Sequence, residues 1–314
     1  MYNIIDKKKL HMLNPREYEH PLDKKALDTL KDTPGLEKLT KEFYKHGLER
    51  VLRVQYTGSY LKVTDSHFPK VKEDLKEVCN IIHLTNIPDL YIENNYGING
   101  FAVGAKKPMI VITRRAIDWL SHEELLGLLG HEAGHIKSMH MMYHDMAQLI
   151  PTMGDLLSGS TFGVGKIVAV GLEAVLYYWY RMSELTADRA GLLACQDNEA
   201  YIQLLMKIAG VPKKYYKKIE TEEFIKQARE FEDFDYNSLD KIAKAATIMW
   251  QEHPWTVLRA HEIIKWIESG KYQELIEKHG KENIDEIELI CTCGAKLKGN
   301  ETFCGICGEK ISTR

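Results

Sequence analysis

The sequence predicts a mainly helical α+β chain, with a small sheet beside one central helix and a short cysteine-dense tail. Three observations predict it. Helical spacing of apolar residues recurs in segment after segment from Thr113 onward. Two β-rich runs, DLYIEN and PMIVIT, flank the glycine-containing stretch NYGINGFAVG. Four of the six cysteines crowd into the last 24 of 314 residues.

Taken in order, Pro15 to about Arg50 is polar and helical, with a Thr-Pro-Gly turn at 33–35, and forms an N-terminal helical layer spanning 1–50. LERVLRVQYTGSYLKVTD mixes β-formers around a Gly-Ser turn at 58–59 and is expected to join the sheet. FPKVKEDLKEVCNIIHL is an amphipathic helix, and the strands follow. A helix is expected over 114–120, and another over 121–148, opened by Ser121 with Glu124 three residues on, the pattern of a capping box. The Gly/Ser-rich PTMGDLLSGSTFGVG separates it from a helix over about 164–195. Further helices are expected at 198–209, 221–230, 238–250, 254–268 and 271–279. KENIDEIEL is a charged linker to the tail, which divides the chain into 1–50, 51–280 and 288–314.

The formal net charge of −3 offers no clustered positive field for nucleic acid, and that class is set aside. The N-terminus MYNIIDKKKLHML lacks the apolar core of a secretory signal, so a cytoplasmic protein is expected. TFGVGKIVAVGLEAVLYYWYRM is interrupted by Lys166 and Glu173 and is favoured as a buried helix over a membrane span. Its aromatic cluster Tyr177, Tyr178, Trp179 and Tyr180 leaves a peripheral contact at the inner face of a membrane open. Cys79 and Cys195, alone in apolar surroundings, are expected to be small buried hydrophobes.

The chemistry concentrates in LLGLLGHEAGHIKSMHMMYH. His131 and His135 are four apart on a helix, hence stacked on one face where both imidazoles can address a single metal ion. Glu132 projects about 100° around the axis, where a carboxylate can reach a metal-bound water as general base without ligating. The bland alternative is a helix with two exposed histidines. A site with two histidines needs a third protein ligand and an open position. YWYRMSELTADRAG offers Glu184, with Asp188 at i+4 on the same face: one carboxylate to complete the site, the other to orient a ligand histidine. Without further context, solvated charges are the commoner reading of that pair. His140 and His144, at +5 and +9 from His135, are assigned to an outlying face. Gly134 weakens the helix unless another backbone approaches there.

The set HEAGH, SELTAD and HPWTVLR, in this order, resembles the zinc metallopeptidase family of HtpX-like and CAAX prenyl proteases, and the similarity extends upstream to NGFAVGAKKPMIVIT. It covers about residues 50–270. The resemblance implies a zincin-type core in which His131, His135 and Glu184 hold zinc, Glu132 is the base, Asp188 supports a ligand, and His253 and Arg259 lie near the site. The strand expected at about 100–113, with Asn99, Gly100, Phe101 and Ala102, is read as the edge that receives an extended peptide through main-chain bonds. Gly100 stands where the family has alanine, and Trp255 where it has a small residue or proline. Family members carry membrane helices that this sequence lacks before the site, so it looks like a soluble branch.

In the tail, CTCGAKLKGNETFCGICGEK resembles a zinc ribbon with Cys291, Cys293, Cys304 and Cys307 as thiolate ligands, although the first pair is one residue short of C-x-x-C. A dithiol redox pair is the alternative. Such ribbons act as docking modules for partner proteins. The expectation is a zinc-dependent endopeptidase acting on peptides or unfolded proteins, with one catalytic and one structural zinc. A non-catalytic, chaperone-like zinc scaffold is the rival, against which the intact Glu132 argues.

Overall fold

The computed structural model describes residues 7–45, 47–148, 166–218, 220–233, 255–280, 289–290 and 296–297. The N-terminal helices are α1 (Pro15–Tyr18), α2 (Pro21–Lys31), α3 (Leu36–Lys45) and α4 (Leu48–Ser59). The strands β1 (Leu61–Lys62), β2 (Asp89–Glu93), β3 (Gly100–Val103) and β4 (Met109–Thr113) form one sheet in the order β1-β2-β4-β3. Helix α5 (Pro69–Ile81) connects β1 to β2. After β4 come α6 (Arg114–Trp119), α7 (His122–Lys137), α8 (Lys166–Cys195), α9 (Asn198–Ile208), α10 (Thr221–Asp233), α11 (Thr256–Glu268) and α12 (Lys271–His279). The mainly helical α+β class is therefore as expected. The two-residue strands β5 (Leu289–Ile290) and β6 (Lys296–Leu297) pair antiparallel.

Every residue of β4 is buried, which explains its run of four apolar residues, 109–112. It pairs parallel with β2, Tyr91 opposite Val111, and antiparallel with β3, Phe101 opposite Val111. The expected strand region 100–113 is thus two strands joined by a turn at Gly104. There φ is +90°, and a Cβ would stand 2.7 Å from the Lys107 carbonyl, so glycine is required. Among the described residues no strand pairs with the outer edge of β3.

The segment 48–59, expected to join the sheet, is helix α4. Leu52 and Tyr56, one turn apart, pack with Tyr91, Val103, Met109 and Val111 against the sheet face away from the central helices. The β-formers Val51 and Val54 are left exposed. Helical spacing that buries Leu52 and Tyr56 together outweighs the local β preference.

The helix expected over 121–148 is interrupted. Its start is as expected: Ser121 Oγ accepts from Glu124 N, and Glu124 accepts from Ser121 N. It ends at Lys137, Met139 takes a left-handed φ of 61°, and a second helical stretch runs over 141–148. Helix α8, about 45 Å long at 1.5 Å per residue, runs beside both stretches. Its Leu172, Leu176, Trp179 and Met182 pack with Ala26 and Leu30 of α2 and with Met146. Trp179 and Tyr180 of the aromatic cluster face this core, and Tyr178 is exposed. Among the described residues, no helix is long and apolar enough to cross a membrane. Cys79 and Cys195 are buried, and burial pushes both thiols up to about 12.

Candidate active site

The site forms where α7 and α8 cross, and small residues set how closely they cross. A Cβ on Gly130 would fall 2.3 Å from Ala194 Cβ, and one on Gly134 would fall 2.4 Å from Ala190 Cβ. The close backbone approach considered for Gly134 is present at two levels of the same interface. It brings Glu184 of α8 over His131 and His135 of α7: Glu184 Oε2 is 3.4 Å from His131 Nε2, and Oε1 is 3.2 Å from His135 Nε2. The two Nε2 atoms are 3.2 Å apart. All three side chains are buried, and their donor atoms lie within 4.8 Å of one another. Two imidazoles and a carboxylate converging in this way suit a borderline divalent ion such as zinc.

The outward nitrogen of each histidine is also engaged, as ligand histidines require. His131 Nδ1 donates to Asp188 Oδ1 at 3.0 Å. Asp188 accepts Arg259 Nε at 2.8 Å and Nη2 at 2.5 Å, and the Tyr201 hydroxyl at 2.9 Å. Burial alone would raise the Asp188 carboxyl; the Arg259 charge and its hydrogen bonds outweigh this and hold it far below the usual carboxylate range. Burial also opposes the charged form of His131, yet Asp188 and Glu184 raise it to about 10, whereas burial takes His135 down to about 4. Arg259 Nη1 is 3.7 Å from Glu184, so its guanidinium compensates two buried carboxylates.

The partners of His135 were not anticipated. Because the chain turns at Met139, His140 swings back so that its Nδ1 lies 3.0 Å from His135 Nδ1. His140 Nε2 is 3.3 Å from Asp23 Oδ2 of α2, which also accepts Thr186 Oγ1 at 2.5 Å. His144 is buried as well, its ring 4.6 Å from that of His135, and Nε2 is 2.8 Å from Ser183 Oγ. The assignment of His140 and His144 to an outlying face is thus corrected: it assumed a straight helix. Spacing could not reveal Asp23, more than a hundred residues upstream of His135.

Glu132 is buried, with Oε1 4.0 Å from His131 Nε2. It lines a cavity of about 80 Å³ with Asn99, Gly100, Phe101, Ala102 and the three metal-suited side chains. That volume holds a few waters and no extended peptide. A Cβ on Gly100 would stand 3.1 Å from Glu132 Oε1, so the glycine found in place of the family's alanine leaves room at the carboxylate. Trp255, the other departure, packs edge-on against Phe231 with ring centroids 5.0 Å apart. His253, Cys291, Cys293, Cys304, Cys307 and the helix expected over 238–250 lie outside the described residues.

Comparison with known proteins follows the same lines. A profile of Peptidase family M48 matches residues 65–267, which include every motif above except the cysteine tail. The plastoglobule-localized metallopeptidase 48 of Arabidopsis thaliana chloroplasts is 30% identical over 273 residues, 86% of this chain and 78% of that protein. A protease HtpX homolog 2 of Methanosarcina mazei is 25% identical over 177 residues, 49% of this chain and 60% of its own. A protease HtpX homolog of Halobacterium salinarum is 31% identical over 90 residues, 28% and 31% of the two chains. No solved structure matches. With the profile spanning more than half of the chain and a curated metallopeptidase similar along most of both sequences, the chain belongs to peptidase family M48 and is a metallopeptidase.

Proposed function

We propose that this metallopeptidase is a zinc-dependent endopeptidase that cleaves within extended or unfolded polypeptides, with His131, His135 and Glu184 holding the ion. The observation that carries the reading is the placement of Glu132: buried, in the same cavity as the three donors, and 4.0 Å from His131 Nε2 without being one of them. A zinc ion held there supplies Lewis acidity toward a scissile carbonyl and acidifies water. Glu132 takes the proton of the attacking water and delivers it to the departing amine. Asp188 accepts from His131 Nδ1–H and so keeps Nε2 free for the metal, while Arg259, which among the described residues hydrogen-bonds Asp188 and lies 3.7 Å from Glu184, acts as a positioning residue. The edge of β3 that no strand covers among the described residues supplies main-chain partners for an extended substrate, which demands little sequence.

The role of His253, as an oxyanion donor or a resting occupant of the open position, belongs to the same reading, as does a structural zinc on Cys291, Cys293, Cys304 and Cys307 in a ribbon that docks partners. We also propose a cytoplasmic location with no more than peripheral contact at the inner face of a membrane. The inward packing of Leu172, Leu176 and Trp179 supports this, and cell fractionation tests it.

The deciding experiment combines metal analysis with cleavage of an unfolded protein. Two zinc per chain are expected, with chelator-sensitive cleavage. Glu132→Gln should retain zinc and lose at least about 100-fold in turnover. Full zinc without cleavage of any unfolded substrate would instead establish the scaffold reading.

A further inference from the structure

Away from the metal donors, one surface gathers aromatic rings and unpaired positive charge. The 3₁₀ helix Lys213–Lys218 reads KKYYKK. Lys213 Nζ stands 5.3 Å from the centroid of the Trp119 ring, and the Arg115 guanidinium 4.3 Å from the same ring and 6.0 Å from that of Tyr96. Trp119 meets Tyr216 edge-on at 6.4 Å, and Lys207 lies 4.5 Å from the Tyr216 ring. Lys214 lies over Tyr215 at 4.9 Å. The contacts run unbroken from Tyr96 through Arg115 and Trp119 to Lys213, Tyr216 and Lys207, and the exposed Lys214, Lys217 and Lys218 share the 3₁₀ helix of Lys213. Lys207 is neutralised by Glu124 at 2.6 Å, but among the described residues no carboxylate pairs with Arg115, Lys213, Lys214, Lys217 or Lys218. In a chain of formal net charge −3, these cations oppose the sign of the whole, and the acids nearest them in sequence, Glu220, Glu222 and Glu223, follow the 3₁₀ helix.

The patch also adjoins the proposed substrate edge. Asn99 and Gly100 line the metal-donor cavity, and Tyr96 precedes Asn99 by at most about 11 Å of chain. Thr113, hydrogen-bonded to Asn99 in both directions, leads directly into Arg114 and Arg115. A polypeptide laid along β3 and continuing past Asn99 runs toward Tyr96 and Arg115, and the Trp119 ring joins Arg115 to Lys213.

We propose that this surface is a second recognition site for an acidic segment of the substrate polypeptide, lying outside the scissile region. The inference rests on the reading of β3 as the substrate edge. The chain's own cations lie over one face of the Trp119, Tyr96, Tyr215 and Tyr216 rings, so the rings buttress those charges. Lysines so held give up less side-chain freedom when a carboxylate arrives.

The test uses the full chain carrying Glu132→Gln and two fluorescent peptides that share a neutral core, one extended by a run of glutamates and the other by glutamines. Fluorescence anisotropy should show the acidic peptide binding at least about fivefold more tightly, with the preference lost at high salt. It should also be lost when Lys213, Lys214, Lys217 and Lys218 are replaced together by Gln. With Glu132 intact, that quadruple variant should raise KM for the acidic peptide while leaving kcat for the glutamine peptide unchanged. Equal binding of the two peptides would overturn the proposal. So would co-sedimentation of the chain with phosphatidylglycerol vesicles, abolished by the lysine replacements, if the acidic peptide did not bind. Charge-dependent binding without cleavage of any peptide would remove the peptidase reading and leave the acidic-segment site standing; cleavage without charge dependence would do the reverse.

Discussion

Replacing His140 by alanine should weaken zinc binding although His140 need not touch the ion. In the wild type, His135 can present Nε2 to the metal only if its proton sits on Nδ1, and the group that receives that proton's hydrogen bond is His140 Nδ1 at 3.0 Å. His140 is fixed in turn by Asp23 at 3.3 Å, and Asp23 by Thr186 at 2.5 Å. With His135 only 3% exposed, alanine at 140 leaves a buried N–H without its acceptor, a loss of about 1–3 kcal/mol. Much of that loss falls on the state in which the tautomer is fixed by the metal. The expected consequence is zinc affinity lower by about 10- to 100-fold, the scale of losing a partner that orients a ligand. Competition against a chromogenic chelator measures it, and thermal unfolding of the metal-free variant separates weaker binding from a damaged fold. Asp23→Asn should move affinity in the same direction by less, because His140 remains. A folded His140→Ala protein with zinc affinity within about twofold of wild type would refute the reasoning.

Three further expectations follow from the same geometry. Glu184→Ala should abolish zinc binding at the catalytic site, whereas Asp188→Asn should lower affinity by about 10- to 100-fold; equilibrium dialysis distinguishes them, and tight zinc binding by Glu184→Ala would require another third ligand. Gly130→Ala forces a Cβ to within 2.3 Å of Ala194 Cβ, so α7 and α8 must part; denaturant unfolding should show a loss of about 1–3 kcal/mol, with weaker zinc binding as Glu184 withdraws. Asp145 is fully buried, accepts Gly104 N on both oxygens at 3.1 Å, and is pushed by burial up to about 7. The folded chain therefore holds this proton more tightly than the unfolded chain. Its contribution to stability should fall as pH rises from about 4 to about 7, and Asp145→Asn should flatten that part of the stability profile.

The sequence by itself determined whatever depends on neighbours along the chain. A four-residue spacing puts His131 and His135 on one helical face. The Ser121 and Glu124 pair starts that helix where expected, and the β-forming run PMIVIT marks a strand. Glu184 and Asp188 were legible only because three motifs occur together in a fixed order; as isolated acids they were indistinguishable from solvated charges. Tertiary structure decided the rest. Helix α4 takes its form from the sheet face that Leu52 and Tyr56 cover, against the β preference of Val51 and Val54. One left-handed residue, Met139, turns the chain after α7 and brings His140 and His144 to His135, where an uninterrupted helix would have carried them away. Asp23 enters from the N-terminal layer, and the glycines of α7 acquire meaning only when Ala190 and Ala194 of α8 lie against them. Periodicity records which residues share a face of one element. Which faces meet, and how closely, depends on shape complementarity between elements distant in sequence, and the partners that would orient ligands at the proposed metal site are built from those contacts.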